Sequence, residues 1–360
     1  MRQLIFHMVG ARPQFLKLGP VYHAMAAKMP ELRQIIVHSG QHTDPDMSDW
    51  FFRDLKLPNP SYVLKMPITG AGESRIAGIQ AEMIALMRKE TPDLIVVYGD
   101  TLTTLASAQA AKEAGIRLVH VEAGLRAFQS DIPEESIRRK VDFMSDFHLC
   151  PSALALLHLK NEGIYRSDDQ SVVVGDVMLD ALAALRREES PREGAVITIH
   201  RNTSVDSDDI RRRIIEAIVR VSKKMSVFWP MHPRMRKMCN DGDWALIHSS
   251  TVVVTTPMSH GDLMDKIRKA SLVITDSGGL QKESYTVRTP CIVARPSTEW
   301  VELLATGCVA LVDPEKENFS ERIALAIAEL QSLPVDKEYV PLYGDGHSAK
   351  LAADFIHQWI

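Results

Sequence analysis

Two carboxylates and a histidine stand where short apolar runs end. The run Leu94 to Asp100 (LIVVYGD) and the run Leu118 to Glu122 (LVHVE) each finish in a single acid, and Pro133-Glu134-Glu135 follows shortly after. Ala195 to Ile199 runs in the same way into His200-Arg201. Carboxyl groups gathered at one sheet edge suit proton transfer, because burial and neighbouring charges can bring such a group into the range where it takes or gives a proton. Each residue also has a plainer use. Asp100 with Thr101 can cap the helix that follows, Glu122 can pair with Arg126, and Glu134 and Glu135 suit the start of a helix, where acids meet the positive end of its dipole. A lone histidine at a strand end is more often structural. Their succession after consecutive strands favours an enzyme.

Two turns are built to meet anions. Gly10-Ala11-Arg12-Pro13-Gln14-Phe15-Leu16-Lys17 follows the first apolar run and leads into a helix, offering free N–H groups, the planar donor fork of Arg12 and the point charge of Lys17. It is neither GxGxxG nor GxxxxGK[ST], so it matches neither the dinucleotide nor the P-loop fingerprint. The second turn is TDSGGLQKE, Thr275 to Glu283: Ser277 suits an N-cap, Gly278 and Gly279 allow close backbone approach, and Glu283 lies within the first two helical turns. A loop arginine, a solvated lysine and ordinary capping remain the bland readings. One such turn in each half favours a diphosphate held in an interdomain cleft. His232 repeats the His200 pattern more weakly. The stretch Arg295 to Glu302, with Trp300, suits either a sugar contact or a fixed loop.

The elements that must position these residues are strands alternating with helices. Strand-like runs fall at 4–8, 34–38, 94–98, 117–121 and, more weakly, 147–150, with helical patterns over 18–28, 76–89 and 103–114 between them. The second half repeats the theme at 195–199, 227–231, 252–255, 272–275, 291–294 and 309–312. This predicts an α/β protein of two doubly wound, Rossmann-like domains. The expected domains are 1–176 and 177–344, joined through the charged, turn-rich stretch ending at Gly194. A last helix, about 345–360, is free to pack back on the first domain, with Leu351, Phe355 and Ile356 on one face. At 360 residues the chain exceeds what one core usually supports. A net charge of −4 gives no footprint for nucleic acid or a membrane surface, so any anion must meet a local basic cluster. No apolar stretch nears the ~20 residues of a bilayer span. Four cysteines without CxxC spacing argue against disulfides and a thiolate metal site, which fits a cytoplasmic protein.

Taken in order, the segments GARPQFLK, SGQH, VVYGDTLTT, HVEAGLR, PEESIRR, VGDVMLDA, IHR, TDSGGLQKES, RPSTEWVE and YGDG resemble the non-hydrolysing UDP-N-acetylglucosamine 2-epimerase family along nearly the whole chain. The resemblance implies a glycosyltransferase-B-like pair of domains, usually as a homodimer, with the nucleotide sugar in the cleft and neither metal nor nicotinamide cofactor. It implies elimination of UDP across C1–C2 to a 2-acetamidoglucal, then re-addition with the C2 proton delivered to the opposite face. On this pattern Asp100, Glu122 and Glu134 match the acid–base carboxylates and His200 the histidine of the second domain. Arg12, Lys17 and Arg138 match substrate-binding cations. Ser277, Gly278 and Gly279 match the diphosphate turn, Glu283 the ribose-binding acid, and Arg295 a further nucleotide-side position.

The departures are informative. The family's Asn before the arginine is Ile137, its His-Arg-Arg-Glu-Asn run is reduced to His200-Arg201-Asn202, its Gln-His-Arg segment is Gln41-His42-Thr43-Asp44, and its C-terminal arginine is Leu351. These imply weak or absent activation by a second substrate molecule. GARPQ and TEWVE look more like the branch acting on UDP-2,3-diacetamido-2,3-dideoxyglucuronate. The expected activity is therefore interconversion of UDP-GlcNAc and UDP-ManNAc. The diacetamido uronate is the nearest alternative. A hydrolysing 2-epimerase, a glycosyltransferase of the same fold and a non-catalytic UDP-sugar binder are the others.

Overall fold

The computed structural model describes residues 3–40, 52–53, 55–64, 73–129, 132–183, 192–332 and 339–360. The Gln41–Asp44 segment and residues 184–191 lie outside the described residues. The chain divides into two units, Met1–Ala181 with Leu342–Ile360, and Leu182–Pro341.

Seven parallel strands form the sheet of the first unit: β1 (Leu4–Val9), β2 (Arg33–His38), β3 (Tyr62–Val63), β4 (Leu94–Tyr98), β5 (Arg117–Val121), β6 (Phe147–Cys150) and β7 (Ser171–Val173), in the order β3-β2-β1-β4-β5-β6-β7. Central strands of such a sheet are covered on both faces and so read as unbroken apolar runs. Along β4 the side chains alternate faces. Leu94, Val96 and Tyr98 enter one core with Phe15, Leu18 and Val21 of the helix Arg12–Lys28, while Ile95 and Val97 enter a second with Leu105, Ala108 and Val141. The edge strands β3 and β7 escape the sequence reading because they are two and three residues long, with Val63 and Val173 exposed.

The terminal helix Ser348–His357 belongs to this unit. Ala349, Ala352, Ala353, Phe355 and Ile356 join the first core, and Trp359 packs on Phe147 with ring centroids 4.5 Å apart. Leu351, expected on the packed face, is 47% exposed, because the alanines take the side that lets the helix approach closely. The Asp180 carboxylate caps the helix, accepting from Ser348 N at 3.0 Å and Ala349 N at 2.7 Å.

The second unit repeats the plan with six parallel strands: β8 (Ala195–Thr198), β9 (Val227–Pro230), β10 (Val252–Thr255), β11 (Leu272–Thr275), β12 (Cys291–Val293) and β13 (Val309–Leu311). Their order is β10-β9-β8-β11-β12-β13. Both sheets thus have the doubly wound order, and winding reverses between β1 and β4 in one and between β8 and β11 in the other. In open α/β sheets the carboxyl ends of the strands at that reversal leave a crevice between diverging loops. Gly10 and Asp100 follow the two strands at the first reversal, and His200 and Asp276 follow those at the second.

Candidate active site

At the first reversal a glutamine fastens the two strand ends together. Gln14, in the first turn of Arg12–Lys28, accepts from Gly10 N (2.8 Å) and Ala11 N (3.0 Å). Its amide donates to Tyr98 O and Thr104 Oγ1, both at 3.0 Å. The side chain is fully buried and every polar atom is used, which fixes its orientation. Sequence reasoning quoted Gln14 within a motif but gave it no role. One turn further on, Lys17 Nζ meets Glu122 Oε1 at 2.6 Å, with the two side chains 7% and 9% exposed. Gly99 makes room for this pair. Its φ is +62°, and a Cβ there would stand 3.1 Å from Lys17 Nζ. The side chain of Arg12 lies outside what is described.

The acids have distinct surroundings. Asp100 Oδ2 accepts from Arg138 Nε at 2.8 Å and lies 2.6 Å from Nη2, with the carboxylate about a quarter exposed. Thr101, not Asp100, caps the helix Leu102–Ala114. Glu122 sits at φ +76°, a conformation that is uncommon outside glycine and is held only when the surroundings impose it. They do so here: the amides of Glu122 and Ala123 both donate to Leu149 O, and Gly124 lies so close to the helix Ala153–Asn161 that a Cβ would fall 2.2 Å from Ala155 O. The two acids of Pro133-Glu134-Glu135 separate in role. Glu135 is buried, accepts from Ala127 N and Phe128 N, and lies 3.3 Å from Arg138 Nη1. Glu134 is half-buried and makes no hydrogen bond or ion pair among the described residues.

Behind these groups lies a buried charge network that the sequence did not reveal. His120 Nδ1 stands 2.6 Å from Asp142 Oδ1 and its Nε2 2.9 Å from the Gly99 carbonyl. Asp142 Oδ2 accepts from Arg126 Nη1 (2.7 Å) and Gly124 N (3.1 Å), and Arg126 makes a two-pronged contact with Glu162. Arg126 therefore pairs with Asp142 and Glu162, and Glu122 takes Lys17 in its place. Burial alone would raise the Asp142 carboxyl, but His120 and Arg126 outweigh it and hold the group at about 2. Ile137, the departure beside Arg138, is 7% exposed in the core with Leu105, Leu118 and Val141, so its side chain points away from Arg138's partners.

At the second reversal Asp276 does what Gln14 does at the first. It is fully buried and accepts from His200 N at 3.0 and 3.1 Å and from Arg201 N at 2.9 Å, and His200 Nδ1 lies 3.4 Å from its Oδ1. His200 stays partly exposed, and its ring centroid is 5.9 Å from that of His232. Ser277 caps the helix Gly278–Thr286 by accepting from Leu280 N. Among the described residues no acceptor is seated on Gly278 N or Gly279 N, so the first turn keeps the open donors of an anion site. A Cβ on Gly278 would come within 2.6 Å of Glu299 Oε1. Glu283 is paired with His260 Nε2 at 2.9 Å, and Arg295 with Glu299 at 3.0 Å. Residues 295–300 form a loop that runs into the helix Val301–Ala305; Thr298 donates to Gln281 at 2.6 Å, and Lys282 Nζ lies 3.8 Å from the Trp300 ring centre.

The structure thus brings Asp100, Glu122, Lys17 and Arg138 to one switch-point edge, and His200 with Ser277 to Gly279 to another. Two doubly wound units, each with its polar groups at the switch point, define a two-domain α/β protein of the kind that handles nucleotide-linked substrates. The profile of the family described as UDP-N-acetylglucosamine 2-epimerase matches residues 24–357, and the chain belongs to that family. It is accordingly an isomerase. It is 35% identical over 361 residues to the UDP-2,3-diacetamido-2,3-dideoxy-D-glucuronate 2-epimerase of Pseudomonas aeruginosa, covering 98% of this chain and 99% of that one. A UDP-N-acetylglucosamine 2-epimerase homolog of Methanococcus maripaludis is 34% identical, with 96% and 97% covered. The crystal structure of the Methanocaldococcus jannaschii UDP-GlcNAc 2-epimerase in complex with UDP-GlcNAc and UDP superposes with a TM-score of 0.85 at 28% identity, covering 99% of this chain and 100% of that one. Among the described residues no helix is long and apolar enough to cross a membrane.

Proposed function

We propose that this protein interconverts UDP-N-acetylglucosamine and UDP-N-acetylmannosamine. The observation that carries the reading is the cluster at the first switch point: carboxylates Asp100 and Glu122, each joined to a buried cation, with Glu134 on the adjoining helix. Epimerisation at C2 needs a base on one face of the sugar and an acid on the other. As the base removes the C2 proton, the C1–O bond to the β-phosphate breaks and its electron pair leaves with UDP, giving the C1=C2 double bond of 2-acetamidoglucal. Re-addition of UDP with a proton to the other face completes the inversion. The three carboxylates supply the proton carriers. Lys17 holds Glu122 and Arg138 holds Asp100, and together with Arg12 these cations can steady the departing diphosphate. In the second unit the Ser277–Gly279 turn suits the diphosphate, Glu283 the ribose, and His200 and Arg295 the nucleotide side. On this reading the enzyme works as a cytoplasmic homodimer.

The alternative sugar has specific support: the 35% identity to the diacetamido-glucuronate epimerase and the GARPQ and TEWVE segments. Proton NMR of each UDP-sugar with the protein in heavy water tests both readings. The proposal expects loss of the C2 proton signal of UDP-N-acetylglucosamine with appearance of the manno isomer. Exchange with the diacetamido uronate alone transfers the assignment to that sugar. Free UDP with N-acetylmannosamine makes the protein a hydrolase, and silence with both sugars refutes epimerisation.

A further inference from the structure

The His120–Asp142 pair occupies the junction of the three segments that carry the acids. His120 lies on β5 two residues before Glu122. Its Nε2 reaches the carbonyl of Gly99, which precedes Asp100, and its Nδ1 reaches Asp142 on the helix Pro133–Met144 that also carries Glu134 and Arg138. Both ring nitrogens are engaged, one with a backbone carbonyl and one with a carboxylate, which fixes the orientation of the ring. Around the pair, Arg126 bridges Asp142 and Glu162, Arg139 also meets Glu162, and His148 bonds through Nε2 to the Asp142 carbonyl. His120, Asp142 and Arg126 are wholly buried, so no solvent competes with these bonds.

We propose that His120 is a positioning residue for this reaction: by bonding Gly99 O and Asp142 at once, it sets Asp100 and the Glu134–Arg138 helix in register with Glu122. The geometry is that of a tie between two elements that share no strand pairing. Arg138 already links Asp100 to that helix from the open side, and His120 links the same two pieces from beneath. Misplacing a reacting group by about an ångström costs about 100-fold in rate. The inference rests on the reading of Asp100, Glu122 and Glu134 as proton carriers.

Two near-isosteric variants separate the bonds. An Asn at 120 places its amide where Nδ1 stands and keeps the bond to Asp142 while losing Gly99. A Gln places its amide where Nε2 stands and keeps Gly99 while losing Asp142. Steady-state C2 exchange should fall about 100-fold in kcat, with KM little changed, in His120→Asn and in His120→Gln, because each variant releases one end of the tie. Full kcat per folded molecule in either variant overturns the proposal. A wild-type protein that exchanges no C2 proton defeats the functional reading and is seen before either variant is made. Nitrogen-15 NMR of the wild-type histidines gives a measurement that needs no variant to fold. Both His120 ring nitrogens should show the shifts of hydrogen-bonded nitrogens, and a ring with one nitrogen unbonded overturns the tie.

Discussion

The Lys17–Glu122 pair invites a perturbation whose size the geometry sets. The two groups approach to 2.6 Å with side chains less than a tenth exposed, so each charge has lost most of its hydration and depends on the other. Replacing Lys17 by Met keeps the stem volume and removes only the cation. The Glu122 carboxylate then loses the 2.6 Å contact with Lys17 in a poorly solvated site, and breaking such a pair costs about 3–5 kcal/mol. For a unit of this size that corresponds to a fall in Tm of about 6–20 °C. Removing both charges, as in Lys17→Met with Glu122→Gln, avoids the uncompensated ion, so the double variant should be more stable than Lys17→Met alone. Thermal unfolding followed by circular dichroism gives the four corners of this cycle. Lys17→Met should also lose C2 exchange under conditions where it is folded, because Lys17 no longer holds Glu122 at the switch-point edge. A loss below about 1 kcal/mol, the worth of a surface ion pair, refutes the argument. So does a double variant destabilised by the sum of the single effects.

Three further outcomes follow from single contacts. Gly124→Ala should destabilise the first unit by about 2–5 kcal/mol, joining left-handed strain to overpacking against Ala155 O. Gly163→Ala, with the same sign of φ and nothing within 4 Å, should cost only about 1–2 kcal/mol; equal Tm shifts for the two would contradict the close approach. Asp276→Ala should orphan the amides of His200 and Arg201 at about 1–3 kcal/mol and weaken UDP binding in isothermal titration; unchanged affinity would remove Asp276 from the site's support. His7 is fully buried between Tyr98 and Gln34, and its burial lowers the imidazole from 6.5 to about 4. The unfolded chain therefore binds a proton below about pH 6.5 that the folded unit refuses until about pH 4, so stability is full above that window and falls by about 3 kcal/mol through it. His7→Asn should flatten this part of the pH–stability curve measured by urea unfolding, and a wild-type curve already flat there would refute the assignment.

What the sequence determined by itself is whatever depends on local pattern. Apolar runs of four to six residues, bounded by turns and separated by helical periodicity, specify parallel strands buried on both faces, because only such strands tolerate no polar face. The same locality made Ser277 readable as a cap and Gly278 and Gly279 as an open turn, since a helix start is written within four residues. Partnerships across the sheet were beyond that reach. Glu122 lies four residues from Arg126 yet pairs with Lys17, 105 positions away, because the left-handed turn at Glu122 carries its side chain back over Gly99. Glu134 and Glu135 are adjacent in sequence, and only the fold shows that Glu135 is spent on the 127–128 amides while Glu134 is not. His120 and Asp142 read as a strand histidine and a helix acid until β4, β5 and the helix after them are packed together. Strand order decides this, since it fixes which carboxyl ends lie side by side, and long-range pairing leaves no periodic mark in a single chain.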